Sequence, residues 1–307
     1  MKVPLTGFSG VVLVTRGDEI LVSEARGFAH RGYGVENTVG TRFAIASGTK
    51  GFTALVVVGL IAEGRLTLDT RARDVLGGDL PLIDDAVTVE HLLTHTSGIG
   101  DYCDEEADPP LQPLLATSAD YLAALDGFPQ RSLPGTEFRY NNGAFAVLAL
   151  IAERIAGRPF HDLVHERVCE PAGMTDTAFL RSDALPGRTA TGYLEDGRTN
   201  VFSLPVVGHG DGGIYSTAPD IRRFWPAFLE GRIVPREWVG RMLRPHADRY
   251  GLGFWLPWPG GVRLEGGDYG VTFRSTHADG VTATLISNDH RGGGPLLRQL
   301  DEFLTKP

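Results

Sequence analysis

The chain has 307 residues, 42% apolar and 22% charged, with 38 acidic against 29 basic side chains and a net charge of −9. That is the make-up of a folded protein long enough for two structural units and a sizeable core, which excludes disordered and fibrous classes. The acidic balance argues against nucleic acid or an anionic membrane as partner, since both need a basic footprint.

The first 27 residues contain no apolar stretch of signal-peptide length and no small-residue cleavage pattern. The longest apolar run, residues 54–62, is about half of what a bilayer requires. The expectation is a cytoplasmic protein without a membrane partner. Val11-Val12-Leu13-Val14 and Ile20-Leu21-Val22, joined by Arg16-Gly17-Asp18, predict a β-hairpin. Phe52, Leu55, Val56, Gly59 and Leu60 then recur at three- and four-residue intervals, predicting a helix over 48–63 with Gly64 at its C-cap. It is apolar nearly all round, as a central buried helix would be.

From Asp69 to about Leu204 the pattern is helical, with segments near 89–95, 118–125, 143–155 and 160–168 separated by Pro, Gly and Asp. A helix over 218–229 follows, then strand-like runs at 252–256, 271–275 and 281–287, and a closing amphipathic helix at 295–304. Strands at both ends with a helical middle predict one antiparallel sheet assembled from N- and C-terminal segments, an α/β (α+β) arrangement. The expected domain limits are 1–65 with 210–307 for the sheet unit and 66–209 for a helical insert.

Ser47-Gly48-Thr49-Lys50 is the first chemical signal. On a helix beginning near Ser47, positions i and i+3 share a face, which sets Lys50 under the Ser47 hydroxyl. The positive end of the helix dipole favours an anionic nucleophile, and a lysine in a dry pocket can accept the serine proton. Far along the chain, Arg139-Tyr140-Asn141-Asn142 places a phenol and a carboxamide two apart before the helix near Gly143. A phenol there can pass a proton to a leaving group, and an Asn can bind an amide or ester. The plain alternatives are a loop aromatic for Tyr140 and a helix N-cap for Asn142.

With these segments the chain resembles the serine hydrolases of the class C β-lactamase and penicillin-binding-protein group, which also holds esterases, D-aminopeptidases and DD-carboxypeptidases. The nucleophile segment Phe43-Ala44-Ile45-Ala46-Ser47-Gly48-Thr49-Lys50 carries the resemblance. So do the stretch from Val87 to Ile99, the Tyr-x-Asn element within Pro134–Asn142, the segment from Pro171 to Thr177, and that from Gly212 to Asp220. The resemblance implies the β-lactamase/transpeptidase-like fold and an acyl-enzyme mechanism with no cofactor. It gives Ser47 as nucleophile, Lys50 as its activator, Tyr140 as proton carrier and Asn142 as substrate contact.

The third element of that group, Lys-Thr-Gly or His-x-Gly, is altered. The corresponding stretch is Leu264-Glu265-Gly266-Gly267-Asp268-Tyr269-Gly270, so Glu265 stands where a cation is expected and Gly267 closes the triplet. Asp268 would follow it and offer its N–H as second oxyanion donor beside that of Ser47. Glu265, with Asp268 close by, should repel the carboxylate that β-lactams and D-Ala-D-Ala peptides present, unless Arg274 points inward. The expected function is therefore a serine hydrolase of a small-molecule ester or amide, an esterase or amidase before a β-lactamase. An acyltransferase using the same intermediate, a D-aminopeptidase, and a non-catalytic binding protein are the rivals. No metal site is expected: His91 and His95 lack a third ligand, and Cys103 and Cys169 lack neighbours at ligand spacing. The acidic run after Asp101 is either a rim that favours cations or a solvated loop.

Overall fold

The hairpin forms as expected in the computed structural model, which describes residues 7–103 and 114–305. Strands β1 (Gly10–Arg16) and β2 (Glu19–Arg26) pair across Gly17, whose φ of 54° closes the turn. Two short strands, β3 (Phe28–His30) and β4 (Val35–Glu36), make a ribbon, and β5 (Phe43–Ala44) leads into helix α1 (Thr49–Ala62). The helical stretch contains α2 (Ala72–Leu76), α3 (Val89–Leu93), α4 (Ser118–Leu125), α5 (Asn142–Ala156) and α6 (Phe160–Val164). Beyond α6 a π-type turn, His165–Cys169, runs into α7 (Glu170–Ala172). Strands β6 (Ala178–Phe179) and β7 (Ile214–Ser216) follow, then α8 (Ala218–Leu229) and α9 (Arg236–Met242). The chain closes with β8 (Val262–Asp268), β9 (Val271–Ala278), β10 (Val281–Ser287) and α10 (Gly294–Leu304).

The principal sheet is antiparallel, with order β2-β1-β10-β9-β8, so N-terminal and C-terminal strands do build one sheet. Its inner strand β1 is apolar on both faces because both are covered. Val11 and Leu13 of β1 join Phe52 and Val56 of α1 and Phe224 of α8 in the large core. Val12 and Val14 turn the other way and pack with Leu285, Leu296 and Leu300 under α10. All of α1 except Gly59 and Ala62 is buried, which explains its lack of a polar face.

The apolar run at 252–256 is not a strand. Gly253 takes φ 84°, and a Cβ there would sit 2.3 Å from the Ala54 Cβ, so this loop lies directly on α1. Leu252 and Phe254 are fully buried in the same core. Their hydrophobicity reflects packing against a helix, which periodicity alone does not separate from a buried strand. Among the described residues no helix is long and apolar enough to cross a membrane.

Candidate active site

Ser47 sits in a single 3₁₀ turn, Ala46–Gly48, that feeds α1, with Ala46 held at φ 46°. Thr49 Oγ1 donates to the Ala46 carbonyl at 2.7 Å and accepts the Ile214 N–H at 3.2 Å, tying this bend to β7. Gly48 is obligatory here, since a Cβ would lie 2.4 Å from the Phe273 ring. One turn on, Lys50 is only 2% exposed and its Nζ reaches Ser47 Oγ at 3.0 Å. The same Nζ donates to Asn142 Oδ1 at 2.8 Å and to the Asp211 carbonyl at 2.7 Å. Three acceptors thus fix a buried amine against the hydroxyl, the arrangement a nucleophile and its activator require.

Asn142 arrives there because α5 begins at it. The N-cap is its neighbour Asn141, whose Oδ1 accepts the Ala144 N–H at 2.6 Å. Asn142 is therefore not the cap, and its side chain is free to face Lys50. Asp101 completes this helix start: its carboxylate accepts the Asn142 N–H at 2.7 Å and the Gly143 N–H at 3.1 Å. An anion at a helix N-terminus satisfies orphan donors and complements the dipole. Asp101 thus belongs to the site's scaffold, while residues 104–113 of the acidic run lie outside the described residues.

Tyr140 is brought beside Lys50, whose Nζ is 4.9 Å from the centre of its ring, although Tyr140 does not itself line the cleft. His95 packs on one side of the phenol with ring centres 4.4 Å apart, and Trp255 stacks near it at 6.1 Å. His95 Nδ1 accepts the Asn141 N–H at 3.1 Å. Burial, then the Lys50 charge, holds this imidazole well below its usual pKa, so it stays neutral. His91 is used differently, accepting the Thr88 N–H in the cap of α3. Among the described residues no His, Cys, Asp and Glu group could hold a metal ion.

The third element departs from expectation. Glu265 does not enter the cleft. It pairs with Arg274 directly across the ladder, and Arg274 also bonds Asp301 of α10 at 3.0 Å. Both therefore lie on the α10 face of the sheet, and Arg274 does not reach Ser47. The physical reason is strand parity: side chains alternate faces, so a one-residue difference in register moves a charge to the other side. On the opposite face Leu264 packs at Gly51 and Gly266 lies against the Ala46–Gly48 turn. A Cβ on Gly266 would be 2.4 Å from the Ile45 carbonyl and 2.7 Å from the Ser47 nitrogen. Next on that face comes Asp268, which lines the cleft with Ser47, Asn142 and Gly267.

The cleft has a volume of about 330 Å³. Sequence reasoning missed much of its lining. Asp211 comes from the Gly-rich turn between His209 and Gly213, and its carboxylate accepts the Tyr102 hydroxyl at 2.6 Å. Tyr121 and Tyr215 complete the polar wall, and Leu180, Leu204 and Val271 the apolar one. The only available signal was the string of glycines: Gly210 must lie against α5, since a Cβ there would be 2.3 Å from the Phe145 carbonyl. Burial pushes the Asp211 carboxyl up, against the opposing pull of Lys50. Asp268 is exposed at the cleft, yet the protein packed around it, with Asp211 nearby, raises it to about 6 against the pull of the Tyr269 N–H and Lys50. Cys103 also lines the cleft as a partly buried thiol, and burial raises its pKa.

The family model described as Beta-lactamase matches residues 5–301. Esterase EstB of Burkholderia gladioli is 28% identical over 93% of this chain and 88% of its own length. The putative penicillin-binding protein PbpX of Bacillus subtilis is 27% identical over 85% of the chain, and D-aminopeptidase of Brucella anthropi is 31% identical over 85%. The chain spans only 65% of PbpX and 51% of the D-aminopeptidase. Among solved structures, a penicillin-binding protein from Bacillus halodurans superposes with a TM-score of 0.89 at 34% identity, covering 96% of this chain and 97% of that one. With the matched span, the sheet order and the Ser47–Lys50 turn in agreement, this chain belongs to the beta-lactamase family.

Proposed function

We propose that the protein is a serine hydrolase that cleaves an ester or amide through an acyl-enzyme on Ser47. The observation that carries this is the 3.0 Å contact between Ser47 Oγ and a Lys50 amine fixed by two further acceptors. Ser47 Oγ attacks the substrate carbonyl carbon as its proton passes to the Lys50 nitrogen. The negative charge that develops on the carbonyl oxygen meets the Ser47 N–H and an N–H of β8 at Gly267–Asp268, the edge of the sheet that Gly266 brings onto the nucleophile. Collapse breaks the bond to the leaving group, which takes a proton by way of Tyr140. Water then attacks the acyl carbon and returns Ser47 to its free form.

An esterase or amidase fits better than a β-lactamase because no Arg, Lys or His lines the cleft among the described residues, while Asp268 does. The segment 104–113 has no basic residue in its sequence. The carboxylate of a β-lactam would meet an anion there. The test is labelling by a fluorophosphonate together with turnover of a short-chain p-nitrophenyl ester and a chromogenic cephalosporin, by wild type and Ser47→Ala. Ester turnover and labelling that vanish in the variant, with the cephalosporin intact, support the proposal. Ester turnover that survives Ser47→Ala refutes it.

A further inference from the structure

On the cleft face of β8 the order is Leu264, Gly266, Asp268. The first packs at Gly51 of α1, the second touches the nucleophile turn, and the third opens into the cleft beside Ser47. Asp268 Oδ1 accepts the Tyr269 N–H at 2.7 Å, which fixes the carboxylate at the end of the strand. The charged and titratable groups around it are Asp211, Lys50, Tyr102, Tyr121, Tyr215 and Cys103. Among these groups only Lys50 is a cation, and Asp211 outweighs its pull on Asp268. The Lys50 amine is engaged by Ser47, Asn142 and the Asp211 carbonyl. Asp211 itself is already bonded by Tyr102.

A carboxylate in the same cleft as the Ser47 hydroxyl, with no ion-pair partner among the described residues, is matched by a cation that arrives with the substrate. Apolar surface from Leu180, Leu204 and Val271 lines the same cleft. We propose that Asp268 is the residue that sets specificity, binding a cationic group, such as a protonated or quaternary amine, close to the scissile carbonyl of an otherwise apolar ester or amide. The inference rests on the Ser47 acyl-enzyme proposed above.

The test uses substrates of matched shape and different charge. One pair is p-nitrophenyl 4-(trimethylammonio)butyrate and its neutral isostere, p-nitrophenyl 5,5-dimethylhexanoate, with the anionic glutarate monoester as a third member. The other pair moves the charge to the leaving side: butyrylthiocholine and 3,3-dimethylbutyl thiobutyrate. Wild type is expected to favour the cation in at least one pair by about tenfold in kcat/KM, with the glutarate slowest. Asp268→Asn should bring that ratio close to one, Asp268→Glu should restore part of it, and Glu265→Gln, on the far face of the sheet, should retain it. Because each readout is a ratio within one variant, a loss of folded protein does not imitate the effect. The preference should also fade as pH falls through about 6, where Asp268 takes up its proton. No cation preference in either pair, or a ratio that survives Asp268→Asn, overturns the inference while the neutral esters still report Ser47 chemistry. Neutral esters that are hydrolysed equally by Ser47→Ala would instead remove the proposed function beneath it.

Discussion

Gly266→Ala probes the site at its tightest point. The added methyl would meet three backbone atoms: the Ile45 carbonyl oxygen at 2.4 Å, the Ser47 nitrogen at 2.7 Å and the Gly48 nitrogen at 2.8 Å. None of these can rotate away as a side chain would. An ordinary contact begins near 3.4 Å, so β8 and the nucleophile turn must part by about 1 Å. Overpacking of this kind costs about 1–3 kcal/mol of stability. A misplacement of about 1 Å between reacting groups can cost 10²-fold in rate, so the activity loss should exceed what the stability loss explains. Gly267→Ala is the internal control, because a Cβ there meets nothing within 4 Å. The assay is kcat and KM on a neutral short-chain ester for both variants, with thermal midpoints measured in parallel. A Gly267→Ala variant more damaged than Gly266→Ala would refute the register, and with it the placing of Asp268 in the cleft and Glu265 outside it.

Asp101→Ala removes the acceptor for the first two N–H groups of α5 and should lower stability by about 1–2 kcal/mol, read by chemical denaturation. It should also lower kcat, because Asn142 and through it Lys50 lose their anchor. His209 is pushed down to about 3 by burial, so between about 3 and 6.5 the unfolded chain binds a proton that the folded one does not. Stability should therefore be complete above about 6.5 and fall as pH drops through that window, and His209→Phe should flatten the fall. Asp268 has the opposite sign: raised to about 6, it favours the folded state only while protonated. Asp268→Asn should accordingly raise the melting temperature at pH 7.5, with the difference closing near pH 4. No change at either pH would show that the carboxylate is better solvated than its surroundings imply.

Much of the site was legible because its parts are local. Ser47 and Lys50 are one helical turn apart, and Tyr140 and Asn142 flank a helix start, so short-range geometry already grouped each pair. Asp101, Tyr102 and Asp211 were not legible. They come from loops without a periodic pattern and gain their roles from long-range hydrogen bonds: Asp101 to the start of α5, Tyr102 to Asp211, and the Asp211 carbonyl to Lys50. Asn141 and Asn142 illustrate the limit of residue type alone, since only the direction of each side chain separates the cap from the lysine partner.

The sequence by itself determined the elements whose pattern is long and one-sided. These are the hairpin, the buried α1, the helices at 118–125 and 218–229, and the strand at 281–287. It also determined the pairing of Ser47 with Lys50, because helix geometry acts over three residues wherever the helix sits. Only the tertiary structure decided what depends on parity and contact at a distance. Glu265 and Asp268 are three residues apart on one strand, so they face opposite sides. Which of them faces the cleft was fixed by Gly266, the glycine that lets β8 lie on the turn that carries Ser47. A carboxylate's effect on a substrate follows from the face it occupies, and a strand's faces are assigned by what packs against them.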